Sequence, residues 1–202
     1  GEPTDIAVDQ MLTTIRRMDF DRLIAIGGGS ILDTSRDRRF LTPEGRRLAE
    51  AGVRLVTVDL RWWDTHDDNF WALKNGFLPP FDQAYSALIT DLRDRGLLDS
   101  TLVVWMGEFG RTPRINPQNG RDHHPAAWST VLCGGGIRGG QVIGETTNDG
   151  LQIRDRPVLV PDLMATICLA LGVDPLAQNM SNVGRPIRLA DADAEPVRAV
   201  LS

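Results

Sequence analysis

Apolar runs that alternate with helical patterns are the feature that most limits what this chain can fold into. The runs RLIAIG, VRLVTVDL and TLVVWMG lack the polar–apolar alternation of a half-exposed strand, and AAWSTVLCGGG is a further candidate strand. Between and after them lie stretches with helical spacing, such as FDQAYSALITDLRD and VPDLMATICLALG. Strands that are apolar on both faces and are separated by helices predict an α/β fold with a mainly parallel sheet, covered on both faces.

Charge and hydropathy exclude two kinds of partner. The 27 acidic residues outnumber the 22 basic ones, giving a net charge of −5, and no long basic run is present. We therefore expect no nucleic-acid partner. No apolar stretch approaches the roughly 20 residues that a membrane span requires, and no signal peptide is visible. We expect a soluble chain with no membrane span, and its compartment and oligomeric state stay open.

Polar side chains follow two of the predicted strands and fill one later loop. In open parallel sheets, ligands bind beyond the carboxyl ends of the strands, so these positions are the best candidates for a site. The segment DLRWWDTHDDNF follows the second strand, GEFGRTPR follows the third, and GRDHHP lies in the loop beyond it. Their polar residues are Asp59, Asp64, His66, Asp67 and Asp68, then Glu108, Arg111 and Arg114, then Asp122, His123 and His124.

These residue types favour metal chemistry on an anionic substrate. Carboxylate oxygens and imidazole nitrogens from different strand ends are the ligands of zinc and similar divalent ions. Such an ion can polarise a phosphoryl or sulfuryl oxygen, and an arginine fork can bind two oxygens of a tetrahedral anion. The alternative is a non-catalytic scaffold or binding module whose polar loops are only solvated. Asp and His are ordinary loop and helix-cap residues, so the short patterns alone do not decide between the two.

Four longer stretches carry a family resemblance. They are RRLAEAGVRLVTVDLRWWDTHDDNF, LDSTLVVWMGEFGRTPRIN, GRDHHPAAWSTVLCGGGIRGGQVIGET and DRPVLVPDLMATICLALGVDP. From about Phe40 to Leu189, the chain resembles a bacterial family of sulfatase-like proteins, a domain of unknown function related to the alkaline phosphatase superfamily. The resemblance implies a three-layer α/β/α sandwich, present here in incomplete form. It also implies divalent cations at the strand ends and hydrolysis of phosphate or sulfate esters.

The resemblance also assigns roles to residues. His66 is similar to the first metal histidine, with Asp64 or Asp59 as its carboxylate companion, and His123 to the later one. Glu108 lies where the superfamily usually has the Asp of an Asp-His-Gly signature. The chain departs from that signature at Phe109, which cannot bind a metal, and it offers no identifiable nucleophile. The predicted metal ligands are Asp64, His66, Glu108 and His123, with Arg111 as the catalytic anion-binding residue.

A second resemblance covers about Pro3 to Ser35. The stretch FDRLIAIGGGSILDTSR is similar to the glycine-rich turn of iron-containing alcohol dehydrogenases, which contacts the pyrophosphate of a nicotinamide dinucleotide. It implies that Gly27, Gly28 and Gly29 let a phosphate approach the backbone and that Ser30 binds it. The alternative is a tight strand-to-helix turn with no ligand.

The sequence predicts three segments and one main function. Residues 1–38 form an N-terminal α/β segment with a glycine-rich turn, residues 39–190 form the sulfatase-like domain, and residues 191–202 form an acidic tail. The main functional hypothesis is a domain that binds a divalent metal such as zinc or manganese and hydrolyses a small anionic ester. A non-catalytic scaffold is the first alternative, and an NAD(P)-binding oxidoreductase fragment is the second. The sulfatase-like resemblance also implies export, although no export signal is visible.

Overall fold

The computed structural model describes residues 22–28, 54–59 and 63–202. Helix α1 (Asn69–Ala72) continues through a π-helical turn (Leu73–Phe77) into α2 (Leu78–Asp94), and α3 spans Val160–Ala170. Two 3-10 turns lie at Leu98–Ser100 and Arg198–Val200. None of these helices is long and apolar enough to cross a membrane.

The strands are β1 Arg22–Gly28, β2 Leu55–Asp59, β3 Thr101–Gly107, β4 Gly110–Arg111, β5 His123–His124, β6 Val131–Gly134, β7 Glu145–Thr146, β8 Ile153–Asp155, β9 Gln178–Met180 and β10 Pro186–Arg188.

Strand β3 is the centre of the largest sheet. The order of this sheet is β2-β1-β3-β6, with β1 parallel to both β2 and β3 and with β6 antiparallel to β3. In the register, Ile24 lies between Val56 and Val103. The first four residues of β3 are buried, which explains why TLVVWMG is apolar without alternation.

Each face of β3 packs against a different helix. Successive residues of a strand point to opposite faces. Leu102 and Val104 join a cluster with Ile167 and Cys168 of α3. Val103, which is fully buried, joins a second cluster on the other face with residues of α2 and with Val56 of β2. The α2 residues in that cluster are Phe81, Leu88 and Leu92.

The predicted three-layer α/β/α sandwich with a mainly parallel sheet is wrong. Three of the four sheets in the described residues are antiparallel pairs of short strands, namely β4–β5, β7–β8 and β9–β10. Within the same residues, only α2 and α3 are longer than one turn. The largest sheet is itself mixed, because the run AAWSTVLCGGG supplies a strand that is antiparallel to β3. An apolar run indicates burial but carries no information about strand direction, which explains the error.

The acidic tail packs against α3 and against the turn after β6. The backbone N–H of Glu195 donates to Asp162 Oδ1, and that of Val197 donates to Thr166 Oγ1, each at 2.8 Å. The N–H of Ser202 donates to the carbonyl of Gly136. The predicted division at residues 38 and 39 lies outside the described residues, and the division at 190 and 191 stays a prediction.

Candidate metal centre

Main-chain hydrogen bonds join two distant segments to build the site. Residues 65–69 follow β2, and residues 118–121 lie in the loop between β4 and β5. The N–H of Arg121 donates to Thr65 O, that of Asp68 to Gln118 O and that of Asn69 to Asn119 O, each at 3.0 Å. These bonds hold the His66 segment beside the loop that leads into His123.

Gly120 allows the two segments to approach closely. A Cβ atom at this position would lie 1.8 Å from the carbonyl oxygen of His66 and 2.5 Å from the nitrogen of Asp67. Only a residue without a side chain fits at such a distance. The backbone path of His66 therefore depends on a glycine in the opposite segment.

The two-residue ribbon β4–β5 positions the other half of the site. It begins three residues after the end of β3 and pairs Gly110 with His124 and Arg111 with His123. Residues directly opposite each other in an antiparallel pair project from the same face. The guanidinium of Arg111 and the imidazole of His123 therefore lie on one side of the ribbon, facing the His66 segment.

Three side chains converge there on one point. Asp64 Oδ1 lies 3.1 Å from His66 Nε2 and 2.9 Å from His123 Nε2, and the two Nε2 atoms are 3.1 Å apart. Together they form a group that could hold a metal ion. Ligands bound at about 2.0–2.1 Å around a tetrahedral ion are about 3.3 Å apart, so the observed spacing is close to that of a zinc site.

Other groups surround this Asp64–His66–His123 cluster. His66 Nδ1 lies 2.7 Å from Asp122 Oδ1, so both ring nitrogens of His66 have partners. The ring of Phe109 lies 4.3 Å from that of His123, centroid to centroid. The side chains of His66 and His123 are 43% and 47% exposed, so the cluster is open to solvent on one side.

Arg111 provides the positive charge at the site. Its Nη2 donates to Asp64 Oδ1 at 2.5 Å, and its Nη1 donates to the carbonyl of Arg121 at 3.3 Å. Hydrogen bonds from His123 and from Arg111 lower the pKa of Asp64 to about 2. The Asp64 carboxylate is therefore ionised at neutral pH, as a metal ligand must be.

The structure brings together some of the residues predicted for the site. Asp64, His66 and His123 form the cluster, and Arg111 contacts it. Glu108 is exposed and is not part of the cluster. For Asp59, the alternative carboxylate, only the backbone is described.

The predicted dinucleotide turn is described only in part. Gly27 and Gly28 lie in β1, where they pair with Met106 and Gly107 of β3. Gly29 and Ser30 lie outside the described residues. Their role in binding a nucleotide stays a prediction.

Sequence reasoning missed Asn116 and the contact of Asp122. Asn116 Nδ2 donates to the carbonyl of His66 at 2.8 Å and to Asp122 Oδ1 at 3.1 Å. The stretch NPQNG indicates a turn and gives no sign of this contact. The acid next to His123 in GRDHHP was the one available signal.

The domain thus has a mixed four-stranded sheet and short antiparallel ribbons, and one ribbon carries half of a two-histidine, one-carboxylate cluster. The chain belongs to a family described as a protein of unknown function (DUF1501), whose model matches residues 37–201. No curated protein and no solved structure matches the chain.

The family match corrects both resemblances. The matching model is not that of a sulfatase or of the alkaline phosphatase superfamily, so the assignment of residues 40–189 to that superfamily is wrong. The match begins at residue 37 and so gives no support to the resemblance between residues 3–35 and iron-containing alcohol dehydrogenases.

Proposed function

We propose that this chain binds one divalent cation at the Asp64–His66–His123 cluster and hydrolyses a small phosphate or sulfate ester there. The observation that carries the proposal is the convergence of Asp64 Oδ1 and the two Nε2 atoms within 2.9–3.1 Å of one another. Three atoms with lone pairs repel one another unless a proton or a cation lies between them. The donor set of one carboxylate and two imidazoles suits zinc, manganese or iron.

The rest of the site supports the hydrolytic part of the proposal. A divalent ion at the cluster would polarise the ester and activate a water molecule. Arg111 would bind the non-bridging oxygens of the ester, because its planar fork matches a tetrahedral anion. The open side of the cluster gives a small substrate direct access to both groups.

One observation favours the alternative, a non-catalytic scaffold. The Arg111 guanidinium already neutralises Asp64 at 2.5 Å, so the carboxylate has a partner without any ion. In that case the cluster is a hydrogen-bonded joint between two loops. This alternative predicts that the folded protein binds no stoichiometric metal.

The first experiment is metal analysis of protein purified without chelator, by elemental mass spectrometry. We expect about one zinc, manganese or iron per chain, as in a site with three protein ligands. His66→Ala and His123→Ala should each remove it, because two ligands hold an exposed ion poorly. Asp67→Ala and Glu108→Ala are the matched controls, because both remove an exposed acid outside the cluster.

Activity is then measured on p-nitrophenyl phosphate and p-nitrophenyl sulfate with the metal-loaded protein. Turnover that both histidine substitutions abolish, and that a chelator removes reversibly, is the expected result. A folded wild type that takes up no metal even after supplementation would overturn the proposal in favour of the scaffold.

A further inference from the structure

The imidazole of His66 contacts a second carboxylate, that of Asp122, on the side of the ring that faces away from the cluster. Its Nε2 faces the cluster, and its Nδ1 lies 2.7 Å from Asp122 Oδ1. A neutral imidazole carries one proton, and the nitrogen that carries it has no lone pair to offer a cation. Whether His66 is a competent ligand therefore depends on the position of that single proton.

The contact with Asp122 determines which ring nitrogen of His66 carries the proton. Asp122 Oδ1 accepts a hydrogen bond from Asn116 Nδ2 at 3.1 Å, and an ionised carboxylate has no proton to donate to His66. A separation of 2.7 Å between this oxygen and Nδ1 requires a proton on Nδ1. Nε2 is then left with its lone pair directed at Asp64 and His123.

Asn116 holds Asp122 in this position. Its Oδ1 accepts the backbone N–H groups of Gln118 and Gly120, at 3.0 and 2.8 Å. Two backbone donors on the oxygen fix the amide orientation, so the NH₂ group must face the other way. From there Nδ2 donates both to Asp122 Oδ1 and to the carbonyl of His66. One amide thus ties the carboxylate to the backbone of the histidine that it orients.

We propose that Asp122 is a positioning residue that keeps the proton of His66 on Nδ1 and so makes Nε2 a ligand, with Asn116 as its support. The metal-binding consequence rests on the function proposed above, whereas the proton position can be measured without any metal. Histidine ligands that donate their second N–H to a carboxylate bind a metal more strongly than those that do not. Asp122 would give His66 this advantage without contacting the ion itself.

The proton position is read by long-range ¹H–¹⁵N correlation spectra of metal-free protein labelled with ¹⁵N-histidine. The chain has only three histidines, so substituting each one assigns the spectrum. At mildly alkaline pH, where imidazole is neutral, we expect His66 in the Nδ1–H form. Asp122→Ala should give a mixture of the two forms, while Asp67→Ala should leave the spectrum of His66 unchanged.

Zinc affinity is measured on the same variants by competition with a chromogenic chelator. We expect Asp122→Ala to weaken binding by about 10–100-fold, the usual effect of losing such a partner. Asp122→Asn keeps an acceptor oxygen and the bond from Asn116 but loses the charge. It should fold like the wild type, keep the Nδ1–H form and bind zinc with intermediate affinity.

The outcomes separate the two proposals. Zinc binding that Asp122→Ala leaves unchanged, with His66 still in the Nδ1–H form, overturns the positioning role and keeps the metal site. Complete loss of zinc in both Asp122 variants, as in Asp64→Ala, also overturns it, because Asp122 would then be a ligand. The last outcome is a wild type that binds no zinc, together with an Asp122→Ala variant in which the proton of His66 is no longer confined to Nδ1. This outcome supports the role of Asp122 and overturns the proposed function.

Discussion

At the scale of single residues, Arg111 and a cation would use the same oxygen atom. The guanidinium donates to Asp64 Oδ1, the atom that also faces both histidines. A bound ion therefore has to displace Arg111 or share the oxygen with it. A displaced Arg111 would have Nη2 free at the edge of the site, where an anionic substrate would approach.

Because Arg111 and the cation would share Asp64 Oδ1, we expect Arg111→Gln to strengthen zinc binding and to weaken phosphate binding. Removing a positive charge beside the ligand should tighten zinc binding by roughly fivefold, as expected for one charge at a partly solvated distance. The same change should weaken the binding of inorganic phosphate to the zinc-loaded protein by at least about tenfold, because the bidentate contact is lost. Chelator competition measures the first effect and calorimetry the second.

Arg114→Gln is the control for this pair of measurements. It removes the same charge three residues away, from an exposed arginine outside the cluster. We expect little change in either affinity. Equal effects of the two substitutions would show that Arg111 acts only through net charge and has no direct contact with the anion.

At the scale of elements, the site depends on a loop that is ordered by backbone contacts. We expect Gly120→Ala to destabilise the protein by about 2–3 kcal/mol and to reduce zinc binding, because the added Cβ would meet the backbone of His66 at 1.8 Å. Thermal unfolding and metal content are the two measurements. Gly139→Ala is the matched control, since a Cβ at that position has no atom within 4 Å. Equal stability of the two variants would contradict this account of the loop.

The same elements show how far the sequence predicts this molecule. The patterns of β3 and α2 are local, and both elements are present where the sequence indicates them. The strands of the β4–β5 ribbon are two residues long and exist only through pairing with each other across the loop. No periodicity can reveal a strand of that length, so sequence reasoning placed Arg111 and His123 in one loop and did not predict that they pair.

The site residues also fall into two groups, those recognisable from their side-chain chemistry and those whose role depends on contacts made by the fold. Asp64, His66 and His123 were predicted because their side chains have recognisable metal chemistry. Asn116 was missed because its role comes from four hydrogen bonds, two within its own turn, one to Asp122 and one to the distant carbonyl of His66, and these depend on the fold rather than on the residue type. Glu108 was predicted on the same grounds, as a carboxylate directly after a strand, but it is exposed and lies outside the cluster.

At the scale of the whole molecule, a buried hydroxyl group makes one of the hydrogen bonds between the tail and α3. Thr166 Oγ1 donates to the carbonyl of Asp162 and accepts the N–H of Val197, and the residue is 1% exposed. We expect Thr166→Val to lower the free energy of unfolding by about 1–2 kcal/mol, because the N–H of Val197 loses its partner. Chemical denaturation followed by circular dichroism measures the change.

The substitution Thr101→Val is the control for the effect of Thr166→Val on the free energy of unfolding. Thr101 is equally buried, at the start of β3, but its hydroxyl oxygen has no hydrogen-bond partner. The same substitution there should be neutral or stabilising, because it removes an unsatisfied polar atom from the core. A loss of stability at Thr101 as large as that at Thr166 would mean that shape, and not hydrogen bonding, determines both results.

The main-chain bonds between residues 65–69 and 118–121 bear on what other members of the family have in common with this chain. These bonds are made by N–H and carbonyl groups, which every residue except proline supplies in full. A relative could replace the side chains at positions 64, 66 and 123 and still keep these main-chain bonds. Membership of the family therefore does not by itself imply the proposed metal site. The residues at positions 64, 66 and 123 are the better test of which relatives share the proposed cation site.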